Sequence, residues 1–421
     1  MCDDTVHAVW YDTRHRNNEI YYLRSEDGGV TWWPAYRLTN DPSWSTYPSV
    51  AVSGPLAHVV WEEGRDRNKE IYYKRSSGRW IWSPDTRLTL DSSCSCGPSV
   101  AAFDSSVHVV WWDCRDGNIE VYYKRSTDGG TTWGADVRLS HAPNQSGFAT
   151  IAVAGPGVHV AWWDDRQGSP GDIYYTRSSD GGATWQPETL LTYEYGSPQI
   201  PSLTASDSAV YLVWNDYRDG NPEIYFKRSS NWGESWGPDT RLTYDPAGSS
   251  FPSVAVSGSL IHVVWQDTRT GGPAELFYKR SLNGGNSWSS DFQLTNALWT
   301  SQYPTVAVAL SRVHVLWSDQ RDGNWEIYYK RNPTGNSGVE ESSGSFQPLT
   351  SNLYLSVVPN PFVSFTILPG HSSERFSLYD ISGRLVGVYK GERIGEGLPP
   401  GVYFLRPPGQ DSKPFRVVKV R

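Results

Sequence analysis

The sequence predicts an all-β protein, a seven-bladed β-propeller with four-stranded blades of about 51 residues followed by a small β-sandwich. Three observations carry this prediction. A Val-His-Val-Val-Trp run, with small variations, ends at Trp10, Trp61, Trp111, Trp162, Trp214, Trp265 and Trp317, so one unit recurs seven times. Each unit holds four strand-like runs separated by turn residues, and a repeat of about 50 residues with four short strands is a propeller blade. The 421 residues include 39 Gly, 28 Pro, 21 Trp and 25 Tyr but a single Met, a composition of short strands and tight turns rather than helices.

Within a unit the elements follow in a fixed order. The first reads Tyr47-Pro48-Ser49-Val50-Ala51-Val52 and the second ends in the repeat Trp. Both are continuously apolar, as inner strands buried on two faces should be. The third, as in Glu19-Ile20-Tyr21-Tyr22-Leu23-Arg24 and Glu326 to Arg331, alternates tyrosines with charge and suits a position nearer the rim. The fourth is short and ends in Leu-Thr, as at Arg37-Leu38-Thr39. The second and third strands occur seven times but the first only six, because Val-His-Ala-Val-Trp begins directly after Met1-Cys2-Asp3-Asp4. An unpaired inner edge exposes a row of backbone donors and acceptors. The expectation is a native start upstream, with a signal peptide and one more strand. The alternative is that Tyr354 to Val358, which echoes the first strand, closes the ring.

Charge excludes some functions. The chain carries 37 Lys+Arg against 45 Asp+Glu, a net charge of −8, without a basic run, so nucleic acid is not an expected partner. No apolar stretch reaches the ~18–20 residues of a membrane helix, and no transmembrane segment is expected. Six of the nine histidines (His7, His58, His108, His159, His262 and His314) share one repeat position, where the remaining blade has Tyr211. One His per blade spreads these ligands round a ring, too far apart to share an ion about 2 Å from each. They read as packed core histidines, and neither a metal nor a cofactor is expected.

The turn after the third strand is the most specific local signal. It reads Ser25, Asp27, Gly29, Thr31, Trp32 at alternate positions with Trp closing the string. It recurs as Ser126, Asp128, Gly130, Thr132, Trp133 and as Ser178, Asp180, Gly182, Thr184, Trp185. Looser copies carry Asn231 and Asn283 in place of Asp. This Ser-x-Asp-x-Gly-x-Thr-Trp string resembles the Asp-box, or bacterial neuraminidase repeat, of sialidase-like propellers. Its expected work is structural: Gly supplies positive φ, Asp and the hydroxyls bond local backbone, and Trp seals the blade edge.

Four-stranded blades sort their loops by face. The Asp-box turns lie on one face; the loops after Trp-x-Asp-x-Arg and the blade-to-blade connections lie on the other, which carries the candidate site. Each repeat Trp is followed by an acid and an arginine, giving Asp12/Arg14, Glu63/Arg65, Asp113/Arg115, Asp164/Arg166, Asp216/Arg218, Asp267/Arg269 and Asp319/Arg321. The plain reading is a clamp within each blade. The functional reading is that several of Arg115, Arg166, Arg218, Arg269 and Arg321 point inward and hold a sugar carboxylate, as the resemblance to sialidases implies and as a bidentate guanidinium permits. Departures from the repeat are the other candidates. Tyr195 beside Glu194 resembles the tyrosine nucleophile and glutamate base of sialidases. His141 offers a base for a lyase reaction. Trp44 and Trp299 are loop tryptophans suited to stacking on sugar rings.

After residues 1–350 the character changes. Residues 351–421 contain no Trp but hold Pro359-Asn360-Pro361-Phe362, Tyr379-Asp380-Ile381-Ser382-Gly383-Arg384 and Gly401-Val402-Tyr403-Phe404. These strings, in this order at the end of the chain, resemble the C-terminal sorting domain of the type IX secretion system. The resemblance implies a β-sandwich, the secretion machinery as a partner, and a secreted or outer-membrane-surface location. In an exported protein a disulfide between Cys114 and Cys94 or Cys96 is expected. The expected function is recognition of a glycan or polysaccharide by a monomer. An exo-sialidase-type glycoside hydrolase is the alternative, and a polysaccharide lyase is third. The string Arg-Ile-Pro of typical sialidases does not occur, and seven blades exceed their usual six.

Overall fold

The computed structural model describes residues 5–332, apart from 79–80, 169, 193–195 and 310–311, together with 375–380, 384–390, 394, 398–399, 401–406 and 415–419. Contacts divide the chain into two units, Met1–Ser351 and Asn352–Arg421. Every described element is a strand.

The first unit is a seven-bladed propeller. Blades two to six are four-stranded antiparallel sheets with strands in chain order. In blade two these are Ser45–Ser53 innermost, then Leu56–Glu63, Glu70–Arg75 and the two-residue outer strand Thr86–Arg87. Blade one holds Val6–Asp12, Glu19–Ser25 and Tyr36–Arg37, without an inner strand among the described residues. Blade seven holds Ser301–Ala309, Arg312–Asp319 and Glu326–Asn332. The echo at Tyr354 to Val358 lies outside the described residues.

The core is a ring of layers between blades. Val110, Val121 and Tyr123 of blade three pack with Ile151, Val158 and Trp162 of blade four, and the same arrangement recurs around the ring. The second-strand tryptophans Trp61, Trp111, Trp162, Trp214 and Trp265 are fully buried there, which explains a Trp at one position of every unit. The ring closes by the same kind of contact. Leu316 and Ile327 of blade seven pack against Ala8, Trp10, Tyr21 and Leu23 of blade one. Trp32 meets the Tyr329 ring edge-on at 4.9 Å, and Arg331 donates to the Gly28 carbonyl at 3.1 Å.

One feature of the inner strands departs from a regular run. In blades two to seven the register slips near the start, between Thr46 and Ser49 in blade two and at equivalent points elsewhere. Tyr47, Gly97, Phe148, Ile200, Phe251 and Tyr303 occupy this bulge with φ of 49 to 58°. Proline follows five of the six, as expected at an interrupted ladder, because Pro has no N–H to give.

The second unit contains a four-stranded antiparallel sheet in the order Leu385–Lys390, Arg375–Asp380, Gly401–Arg406, Phe415–Lys419. Phe376, Leu378, Ile394, Tyr403 and Leu405 form its core.

Candidate functional site

The two faces of the propeller divide as the loop pattern predicts. On one face, each Ser-x-Asp-x-Gly-x-Thr-Trp turn is closed on itself. The Asp27 carboxylate accepts hydrogen bonds from the Val30 and Thr31 amides at 2.9 and 2.8 Å and from the Thr31 hydroxyl at 2.6 Å, while Ser25 Oγ takes the Gly29 amide at 2.8 Å. Asp128 and Asp180 are bonded in the same way by Thr132 and Thr184, with Ser126 and Ser178 holding the Gly130 and Gly182 amides. The Thr132 and Thr184 hydroxyls and amides hold these two carboxyls below the ordinary carboxylate range. With their oxygens so engaged, the acids have little left for a cation. No cluster of potential metal ligands occurs among the described residues.

Each turn is also a latch to the preceding blade. Trp133 and Trp185 meet Tyr73 and Tyr123 edge-on at 4.8 Å. A Cβ on Gly29, Gly130 or Gly182 would land on the hydroxyl of Tyr329, Tyr73 or Tyr123, so glycine is needed there for space as well as for its φ of about 80°. Those hydroxyls bond the repeat histidines: His58 Nδ1 lies 2.8 Å from Tyr73 Oη and His108 Nδ1 2.7 Å from Tyr123 Oη. Burial, with a nearby arginine, pushes His7, His58, His108, His159 and His262 down to about 4, so they are neutral parts of the latch.

On the opposite face all seven arginines close on their own blade's acid. Arg115 Nη2 lies 2.7 Å from Asp113 Oδ2, Arg218 2.6 Å from Asp216, Arg269 2.7 Å from Asp267 and Arg321 2.5 Å from Asp319. Arg14, Arg65 and Arg166 pair likewise with Asp12, Glu63 and Asp164. Five of them reach a second acid, Asp85, Asp136, Glu188, Asp239 or Asp291. Lys74, Lys124, Lys227 and Lys279 balance four of these. Each guanidinium also lies over a third-strand ring, Arg115 at 4.4 Å from the Tyr122 centroid. Six of the acids are fully buried and Asp12 partly so, and each takes a further bond from the repeat Trp, such as Trp111 Nε1 to Asp113 at 2.9 Å. Arg115, Arg166, Arg218, Arg269 and Arg321 thus occupy clamps that fix the loops.

The other sequence candidates separate. Glu194 and Tyr195 lie outside the described residues. His141, two-thirds exposed, sits 3.1 Å from Glu188, the acid that also pairs with Arg166. Blade four departs from the repeat here, with Thr176 where four others place a lysine on the second acid. Trp44 packs on Gly64 beneath the Lys69 ammonium, which is 5.4 Å from its ring centroid and paired with the buried Glu62 at 2.9 Å. Trp299 is exposed beside the more exposed Leu298. Cys94 and Cys114 form a disulfide on this face, and Cys96 is free and buried.

What sequence reasoning missed lies at the pore mouth. Inner strands contact the inner strands of neighbouring blades and so surround the axis. Their bulged residues stand at the end that meets the clamp loops, since Ser45 pairs with Glu63. Four of the six are aromatic. Tyr47, Phe148 and Tyr303 are 61, 61 and 55 % exposed, and Phe251 is half-buried against Tyr303 with ring centroids 4.9 Å apart. Tyr11, at the residue after the repeat Trp, faces Tyr47 at 6.2 Å. Burial first, then the Tyr47 and Tyr303 phenols, raise the Tyr11 hydroxyl. A left-handed backbone costs a non-glycine residue roughly 1–2 kcal/mol, and bulky residues there are outliers. Blade three shows the relaxed solution, Gly97. These aromatic side chains are held against that cost and left in water. The available signal was that Gly and aromatic residues share one repeat position, always at the mouth end.

The sequence matches no protein-family model and no curated protein. Solved structures do match. A protein of unknown function from Dyadobacter fermentans is 13% identical over 67% of this chain and 93% of its own, with a TM-score of 0.50. An ulvan lyase of polysaccharide lyase family 25 is 11% identical over 78% of this chain and 90% of its own, with a TM-score of 0.58. A Hadza microbial sialidase is 12% identical over 72% and 71%, with a TM-score of 0.46. The likeness is one of fold, the β-propeller.

Proposed function

We propose that this chain is an exported, carbohydrate-directed propeller that recognises a glycan at its pore mouth. The observation that carries the reading is the set of exposed aromatic rings at the mouth, Tyr47, Phe148 and Tyr303 on a bulged backbone that would otherwise favour glycine, with Tyr11 facing Tyr47 and Phe251 against Tyr303. Flat rings on a rigid support suit the apolar faces of sugars and need little ordering on binding. The fold likeness to an ulvan lyase points the same way. A sialidase-type hydrolase draws no support from the arginines, which are committed to the acids of their own blades. A lyase keeps one specific observation, the exposed His141 against Glu188 in a blade without the clamp lysine.

The turn geometry supports reading the Ser-x-Asp-x-Gly-x-Thr-Trp strings as Asp-boxes. The second unit is, on this proposal, a type IX sorting domain that directs the protein to the surface or the medium. The turn after Tyr379-Asp380 supports it: Asp380 accepts from the Arg384 amide at 3.0 Å and from its Nε at 3.1 Å, while the Asp380 amide donates to the Arg384 carbonyl at 2.9 Å. The test is retention of the pure full chain on immobilised polysaccharides, with mass spectrometry of the eluate. Retention without product supports a binding propeller. Free sugar or unsaturated ends would select an enzyme, and no retention on any column would remove the glycan reading.

A further inference from the structure

We infer that the ligand of the pore mouth is an uncharged glycan chain lying across blades six, seven, one and two; this rests on the glycan reading above. The distribution of aromatic rings on this face is the first observation. Phe251 and Tyr303 touch, and Tyr11 faces Tyr47. Trp299 and Trp325, 56 and 47 % exposed, stand on loops of the same sector, and Trp44 flanks its other end. The remaining bulge positions are Gly97 and Ile200 and the separate Phe148, which lies instead against Trp163 of its own blade. The mouth thus carries a set of rings from blade six to blade two and a second pair, Phe148 and Trp163, in blade four, and rings set along an arc suit a chain rather than a single terminal sugar.

The state of the charges is the second observation. A carboxylate or sulfate needs a cation whose charge is still available. The clamp arginines are answered by one or two acids each, the lysines beside them by the same acids, and Lys69 by Glu62. Mouth and clamp ring are close to electroneutral, on a chain of net charge −8. An anionic polymer gains nothing there that offsets its desolvation, whereas hydroxyls and apolar sugar faces bind without a counter-charge. Two exposed arginines stand apart. Arg16 and Arg67 hold φ of 70 and 72° at hairpin tips where the other blades have Gly117, Gly168, Gly220, Gly271 and Gly323. They lie between the second and third strands, outward of the inner-strand mouth, and serve as the control for an anionic ligand.

The experiment is affinity electrophoresis of the full chain through gels containing galactomannan, xyloglucan or hydroxyethyl cellulose, and in parallel alginate or polygalacturonate. Retardation is expected in at least one neutral gel, unchanged between about 0.05 and 0.5 M salt, where screening removes long-range charge effects. Tyr47→Ala and Tyr303→Ala, at exposed positions that leave the core intact, should each weaken it at least fivefold with an unchanged thermal midpoint. Arg16→Ala with Arg67→Ala should leave it as it is. Retardation only by the anionic gels, lost with salt and in the arginine variant, would overturn the uncharged class while keeping a glycan ligand. Neutral binding indifferent to both tyrosines would overturn the aromatic arc. Retardation by none would remove the glycan reading itself.

Discussion

Replacing Arg115 by Ala separates a scaffold role from a binding role for the arginine ring. The substitution removes two bonds to Asp113, at 2.9 and 2.7 Å, one to Asp136 at 2.7 Å, and a guanidinium 4.4 Å above the Tyr122 ring. Asp113 has no exposure and cannot recruit water in exchange. Breaking a buried pair from one side costs about 3–5 kcal/mol. Asp113 keeps Trp111 Nε1 and Ser95 Oγ, both at 2.9 Å, which places the loss at the low end, about 3 kcal/mol. Urea unfolding followed by tryptophan fluorescence reads it directly, beside gel retardation by the glycan that wild type binds. The expected result is a large fall in stability with affinity unchanged. A variant as stable as wild type that no longer binds would refute the scaffold argument and return the arginines to the site. The pH dependence adds a second readout. Burial alone would raise the Asp113 carboxyl, but hydrogen bonds from Arg115 and Trp111 outweigh it and hold the group below the ordinary carboxylate range. A folded value below the unfolded one means stabilisation present above the unfolded value and lost as pH falls through the folded one. Without Arg115 that acid-side loss should shrink.

Three further outcomes follow from the scaffold. Gly130→Ala, whose Cβ would meet Tyr73, should cost about 2–4 kcal/mol in urea unfolding, against about 1 for Gly117→Ala, which has a similar φ but open space; equal losses would mean the latch is not tight. The five latch histidines, held neutral at about 4 chiefly by burial, bind protons more readily unfolded, so stability should fall as pH drops from about 6.5 towards 4; a urea midpoint constant over that range would contradict it. Replacing both Cys94 and Cys114 by Ser opens a link spanning 20 residues and should cost about 3 kcal/mol by loop entropy, measured against wild type with and without reductant.

Much of this fold was legible because its core lies between identical neighbours. Most blades bury the same Trp, offer a latch tyrosine (Phe226 in blade five) and close the same turn, so Trp111, Tyr123 and Gly130 have counterparts a fixed distance along the chain. The turn chemistry was readable for the same reason, since Asp27 and Thr31 meet within five residues. The clamp was harder. An arginine two residues beyond an acid is written identically whether it bonds that acid or a ligand, and only geometry separates Arg218 on Asp216 from Arg218 on a carboxylate. The pore mouth was not readable as a site because its signal is a backbone angle. Tyr47 alternates with its neighbours like any strand residue until the bulge turns it outward.

The placement of the site follows from the economy of the repeat. Where nearly every blade supplies the same acid, Arg and His, those groups satisfy one another across and within blades: Glu120, for instance, is fully buried yet bonded by Arg138 at 2.6 Å and by Asn118 at 2.8 Å. A ligand cannot be held by groups whose bonds are already made without unlocking the blade that made them. Specificity must therefore come from positions whose side chains the scaffold does not use. The bulge and the residue after the repeat Trp are two such positions. The first runs Tyr47, Gly97, Phe148, Ile200, Phe251, Tyr303 and the second Tyr11, Glu62, Trp112, Trp163, Asn215, Gln266, Ser318. They meet at the mouth, where Gly97 donates its amide to Glu62 at 3.2 Å and Phe148 lies against Trp163. On the proposed function, a ring whose charges are spent inside its blades and whose variable residues are mostly aromatic or amide would tell sugars apart by shape and hydroxyl pattern. A carboxylate-reading propeller would instead have to leave arginines unpaired at that same mouth.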